Sequence, residues 1–319
     1  MGLKPITNTG FLGLDRAEET LSDKLDVVLF GIPSALGAEG RLGVEQGPEA
    51  VRRASWTFGR YSHALGIDVL EELDVVDGGD LAGTEDGHDR DTFLRLIEER
   101  TFSLARGGQV PGLIGGSQLI TLGALRGLRG AKRRPVSLLH ITARSHCRPD
   151  DLGEGGALGC AFEEGLLRER GVLQVGVRGP SRDASESQRA LSCGFERLTI
   201  DDVRWDIHGS MEVVRSRAAQ GALYVSVNLS ALDLGVCPGV TRPSPGGLSC
   251  WETQQVLRAA LGADVIGFDV VGLCPPADLS DMSATVAVSI LHELLGVIAE
   301  GRSSSRISGL PGSSGRSSA

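Results

Sequence analysis

Short runs of consecutive apolar residues alternate along this chain with longer stretches in which apolar positions recur every three or four residues. The runs at 26–31, 68–76, 110–114, 136–141, 172–177, 195–199, 222–227 and 264–269 have strand length. Several read as nearly continuous apolar runs, which fits strands covered on both faces. Between them the spacing predicts helices. One follows Pro48, whose missing N–H is harmless in a first turn, and runs to Trp56. A second covers 92–106, with leucine, isoleucine and phenylalanine at helical spacing, and an apolar helix over 283–298 closes the ordered part. Strand–helix alternation implies a mainly parallel sheet of about eight strands between two helical layers, a three-layer α/β/α sandwich. Ligand sites of such sheets lie outside the carboxyl ends of the strands.

The 319 residues are 41% hydrophobic and 23% charged, ample for one large core, and no domain boundary or internal repeat interrupts residues 1–301. The segment 302–319 is rich in Ser, Gly and Arg, has little to bury, and reads as a disordered tail. The 45 glycines are about double the usual share and concentrate between the apolar runs, where turns are needed. A net charge of −9 without a basic stripe argues against nucleic-acid binding. No stretch reads as an apolar membrane span of ~20 residues, and the N-terminus lacks a signal-peptide pattern, so a cytoplasmic protein is expected. Six scattered cysteines without CxxC pairs read as small apolar residues, Cys147 beside His146 included.

Four segments at predicted strand ends carry the candidate chemistry: LIGGSQLITL (113–122), SLLHITARSHCRPD (137–150), LYVSVNLSALD (223–233) and GFDVVGLCPP (267–276). These frames resemble those of the ureohydrolase family (arginase, agmatinase, guanidinobutyrase and relatives), which read GGDHS, DAHxD, DxDxxD and a strand ending in Glu shortly before proline. Further frames match in the same order: GIP at 31–33 with GVEQGPEA at 43–50, AFEEGLL at 161–167, LQVGVRG at 173–179 and PGVTRPSPGGL at 238–248. The likeness spans roughly 28–299 and implies an arginase-like fold. It also implies where two manganese or nickel ions would be held, at the positions occupied here by Gln118, Thr142, Arg144, His146, Asn228 and Ser230. The substrate-binding Glu corresponds to Gly272, and the His of a substrate loop is missing near Glu154 and Gly155.

The family's four carboxylates and two imidazoles total about −4, matching two divalent ions, which need anionic oxygen or neutral imidazole. The same six positions here sum to +1 with His146 neutral, and a guanidinium offers only donors. The expectation is therefore a chain without metal or catalytic residues of its own, with Arg144 in the vacated cavity bonded to Asn228, Ser230, carbonyls or a remaining carboxylate. His140, Asp233 and Asp269 read as structural, and the acidic stretches 71–80 and 85–91 as surface loops. Ser117 lies outside a GxSxG elbow and has no His/Asp partner placed by motif. The resemblance implies a homologous, metal-intact partner holding nickel or manganese in a trimer- or hexamer-based hetero-oligomer that hydrolyses a guanidine or biguanide C–N bond. Two other readings stand beside it: a free-standing pseudoenzyme binding a small molecule, an anion because of Arg144, and an agmatinase-like hydrolase with an atypical metal site centred on His146.

Overall fold

The computed structural model describes residues 10–14, 25–84, 87–148, 151–181 and 184–308, with the side chains of 303–308 excepted. Ten strands occur among them: β1 Val27–Ile32, β2 Tyr61–Ser62, β3 Ile67–Asp68, β4 Val75–Asp80, β5 Val110–Gly115, β6 Val136–Ile141, β7 Leu167–Val177, β8 Glu196–Thr199, β9 Leu223–Asn228 and β10 Val265–Val271. Strands β2 and β3 form a small antiparallel ribbon. The other eight make one parallel sheet in the order β4-β1-β5-β10-β9-β6-β7-β8.

Both faces of the sheet are buried, and the alternation of side chains along β1 shows how. Val27 and Leu29 enter one core with the helices Gly47–Ser55, Ile207–Ala218, Cys250–Arg258 and Met282–Ser308. Val28, Phe30 and Ile32 enter the opposite core with Arg90–Arg106, Leu119–Lys132 and Ala157–Glu163. This is the three-layer α/β/α sandwich that the alternation of apolar runs predicts.

Four expectations are corrected. The run at 68–76 does not form one strand: the Asp68 carboxylate accepts from the Leu70 N–H at 3.0 Å, capping a helical turn at Val69–Glu72, and β4 begins only at Val75. The acidic stretch ending at Asp80 is not all surface loop. Asp77 is fully buried on β4, where it takes a bidentate ion pair from Arg52 (2.9 and 3.2 Å), and Arg52 also donates to Asp80 at 2.7 Å and lies over the Phe11 ring. The closing helix continues to Ser308, past the expected start of the tail; residues 309–319 lie outside the described part. Its portion Met282–Arg302 is also long and apolar enough to cross a membrane, contrary to the reading of the sequence. It is apolar on most sides because it packs into the core through Ala287, Leu291, Leu294 and Ile298.

Candidate functional site

The four frames converge because β5, β10, β9 and β6 are adjacent in the sheet. Gln118 follows β5 and opens the helix Leu119–Lys132, Asn228 ends β9, Gly272 follows β10, and Thr142, Arg144 and His146 follow β6. The parallel register sets Asn228 beside Val271, and Ser226 beside both Asp269 and His140.

At the centre lies a closed polar network. The Asn228 amide donates to the Gln118 Oε1 at 2.9 Å. The Gln118 amide donates to Ser226 Oγ at 2.8 Å and Thr121 Oγ1 at 2.7 Å. Thr121, Ser226 and Tyr224 in turn donate to the Asp269 carboxylate at 2.7, 2.6 and 2.8 Å. Asn228 Oδ1 accepts from the Ser230 N–H at 3.0 Å. Burial pushes the Asp269 carboxyl up to about 6, even though all three hydroxyls hydrogen-bond its anion, and it raises the Tyr224 phenol far above its ordinary value.

A second, more cationic zone lies on the β6 side. Thr142 closes its own turn, its hydroxyl donating to the Arg144 carbonyl (2.8 Å) and accepting from the Arg144 N–H (3.1 Å). The half-buried Arg144 guanidinium donates to the Arg242 carbonyl at 3.0 Å. Burial and the neighbouring Arg242 charge lower its pKa. The expected carbonyl partner is therefore present, whereas Asn228 is committed to Gln118 and the Ser230 carbonyl accepts from Arg178 at 3.0 Å. His146 sits at φ +51° and is buried; its N–H donates to Glu186 at 2.8 Å and its Nδ1 meets the Glu154 carbonyl at 2.9 Å. Burial drives its pKa down to about 4, and that of His140 far below the usual value, so both rings are neutral at pH 7. His140 has the structural partner expected of it, Gln174 Nε2 at 3.1 Å from its Nδ1. Asp233 likewise accepts three loop N–H groups, from Gly235, Gly246 and Gly247. Burial raises the Cys147 thiol well above its normal range, leaving it no thiolate at neutral pH.

Glu154 escaped the sequence reading, which noted only that a His was missing there. It is 2% exposed and accepts the backbone N–H groups of Glu39 (3.1 Å) and Gln118 (3.3 Å). Burial pushes its carboxyl up to about 7, against the pull of the Gln118 N–H and of Arg242, Arg144 and Arg148. The partners of Gln118 were missed too, although a signal for them exists. Tyr224, Ser226 and Asn228 alternate on one face of a buried strand, and Thr121 lies three residues beyond Gln118 on its helix.

A model of the arginase family matches residues 25–296. The chain belongs to the arginase family. Among curated relatives it is 30% identical to guanidinopropionase of Pseudomonas aeruginosa, covering 86% of this chain and 87% of the relative. It is also 30% identical to the mitochondrial guanidino acid hydrolase of Homo sapiens, covering 87% and 79%. Its structure superposes on proclavaminate amidinohydrolase from Streptomyces clavuligerus with a TM-score of 0.84, at 25% identity, over 92% of this chain and 97% of that one.

Within the arginase family fold, the donors at the six frame positions do not fit a pair of divalent ions. They include no carboxylate. The Gln118 and Asn228 oxygens are already engaged, the Thr142 hydroxyl is held in its turn, and Arg144 brings a positive charge. Of His146 only Nε2 is left without a partner. Among the described residues no group of three or more His, Cys, Asp or Glu side chains could hold a metal ion elsewhere. Gly272 also departs from the family frame for a local reason: its φ is +88°, and a Cβ there would meet Asn228 Oδ1 at 2.8 Å.

Proposed function

We propose that this chain is a non-catalytic subunit of a hetero-oligomer, paired with an arginase-family homologue that retains its metal ligands. The observation that carries the reading is the Gln118–Asn228 hydrogen bond. Two positions that the family frames give to metal ligands have become an amide pair, each member also satisfied by further partners, so the scaffold is stable with no ion at its centre. Nickel or manganese would belong to the partner and would supply there the activated water that hydrolysis of a guanidine carbon needs, which Ser, Thr and Gln side chains cannot supply. The guanidino compounds in the relatives' names support a substrate with a guanidine-type C–N bond. The arrangement resembles metformin hydrolase, a nickel enzyme with two unlike ureohydrolase subunits, which makes metformin, cleaved to guanylurea and dimethylamine, the first substrate to test.

The test is co-expression with a metal-intact homologue from the same genome, with an affinity tag on this chain only. The expected result is co-purification of both chains with metal and with guanidine hydrolysis. That activity is lost when the partner's DAHxD frame is mutated and is absent from this chain alone. Turnover by the isolated chain, or one to two metal ions per isolated chain that disappear with His146→Ala, overturns the proposal. Failure to co-purify with any such homologue removes the subunit assignment.

A further inference from the structure

Beside the amide network, outside the carboxyl ends of β6 and β7, an open cleft of about 180 Å³ is lined by Arg144, Arg148, Arg178, Arg197 and Arg242 and, among the described residues, by one carboxylate, Glu186. The five guanidinium groups are not equivalent. Arg148 and Arg242 share Glu39, and Arg148 also pairs with Asp151, so their charges are largely answered. Arg178 spends its donors on six backbone carbonyls, among them Ser230 and Ser244, which fixes the surrounding loops, and the Asp233 carboxylate offsets its charge only from beyond ion-pairing distance. Arg197 donates to the Ser187 hydroxyl at 2.8 Å, and Arg144 to one carbonyl. Among the described residues, Arg144, Arg178 and Arg197 form no ion pair within 4 Å. Glu186 already accepts the His146 N–H with one oxygen.

Cations withdrawn from water are costly unless paired, and among the described residues no carboxylate lies within ion-pairing distance of Arg144, Arg178 or Arg197. We propose that this cleft is a binding site for a small anion with two or more ionised oxygens, of the carboxylate or phosphate class, clasped chiefly by Arg144 and Arg197. The volume equals roughly six water molecules at ~30 Å³ each, enough for inorganic phosphate or a short dicarboxylate. Guanidinium groups supply the forked donors that such oxyanions accept. A guanidinium substrate, by contrast, would be repelled by the same lining. The site is thus the electrostatic inverse of one built to hold cations. The inference does not rest on the subunit reading, because it concerns binding to this chain and needs neither a partner nor turnover.

The experiment is thermal melting and calorimetry of the full chain with inorganic phosphate, succinate, acetate or agmatine, at ionic strength matched with sodium chloride. Phosphate or succinate is expected to raise the melting temperature saturably by about 5 °C, with the larger response identifying phosphate or carboxylate as the physiological class. Acetate and agmatine should leave it unchanged. Arg144→Met and Arg197→Met should each weaken dianion binding on the order of 10- to 100-fold. Arg144→Met should melt no lower than the parent without ligand, which separates lost binding from lost folding. No dianion effect beyond the chloride control, undiminished binding by both variants, or equal stabilisation by agmatine would overturn the proposal.

Discussion

Asn228 and Gln118, which end β9 and follow β5, meet across the intervening strand β10 with the Asn228 amide 2.9 Å from Gln118 Oε1. Each brings further bonds: Gln118 to Ser226 and Thr121, Asn228 to the Ser230 N–H. Beneath them Asp269 collects three hydroxyls, so hydrogen bonds between neutral groups around one carboxylate tie the central strands together.

If this pair holds the strand ends together, removing either member strands buried groups of the other. Asn228→Ala and Gln118→Ala should each cost about 1–3 kcal/mol in urea unfolding. The double variant should cost clearly less than the two together, because the second deletion removes a group that the first had already orphaned. Strict additivity would show that the pair carries no coupling.

Restoring the family's Glu at position 272 should fail structurally. The left-handed backbone there disfavours any side chain by roughly 1–2 kcal/mol, and the new Cβ would also crowd Asn228 Oδ1. Gly272→Ala already tests the point: a lower melting temperature is expected, whereas a neutral result would mean that the Asn228 turn yields easily.

The buried Glu154 carboxyl makes stability depend on pH. Its folded pKa, about 7, is raised above the ordinary 4.5, so the unfolded chain releases this proton first. Its contribution is therefore complete below pH 4.5 and is lost as pH rises through 7. Asp269, raised from 3.8 to about 6, acts with the same sign over a lower window. Glu154→Gln should accordingly gain on the parent protein between pH 4 and pH 8, by up to about 3 kcal/mol. Denaturant titrations of both proteins at the two pH values read this directly, and a constant difference between them would refute it.

Far from the candidate site, Asp77→Ala should be among the most damaging single substitutions, at about 3–5 kcal/mol. It leaves the fully buried Arg52 without its bidentate partner and frees the Phe11 N–H, which donates to the same carboxylate at 2.9 Å. Asp80→Ala removes only a partly exposed partner of Arg52 and should cost much less.

The class of fold was legible because strands buried on both faces must be largely apolar at consecutive positions, as β1 is, and as β6 and β9 are apart from Ser137, His140, Ser226 and Asn228. The positions of the frames at strand ends were legible as well, since each follows such a run directly. Asp77 was misread because an isolated carboxylate in the sequence carries no mark of the arginine that it meets 25 residues away. Glu154 was passed over for a similar reason: its neighbours Glu39 and Gln118 are 115 and 36 residues distant.

By itself, then, the sequence determined the α/β layering, the arginase-family frames and the chemical poverty of the six frame positions, all of which depend on residue type and local spacing. Only the tertiary structure decided how that poverty is used. Sheet order, which local spacing does not encode, sets β10 between β5 and β9, so that Gln118 and Asn228 bond each other over Asp269. The same packing gathers Arg144, Arg178 and Arg197 from three separate segments around one cleft, where their charges add because the surrounding protein screens them poorly.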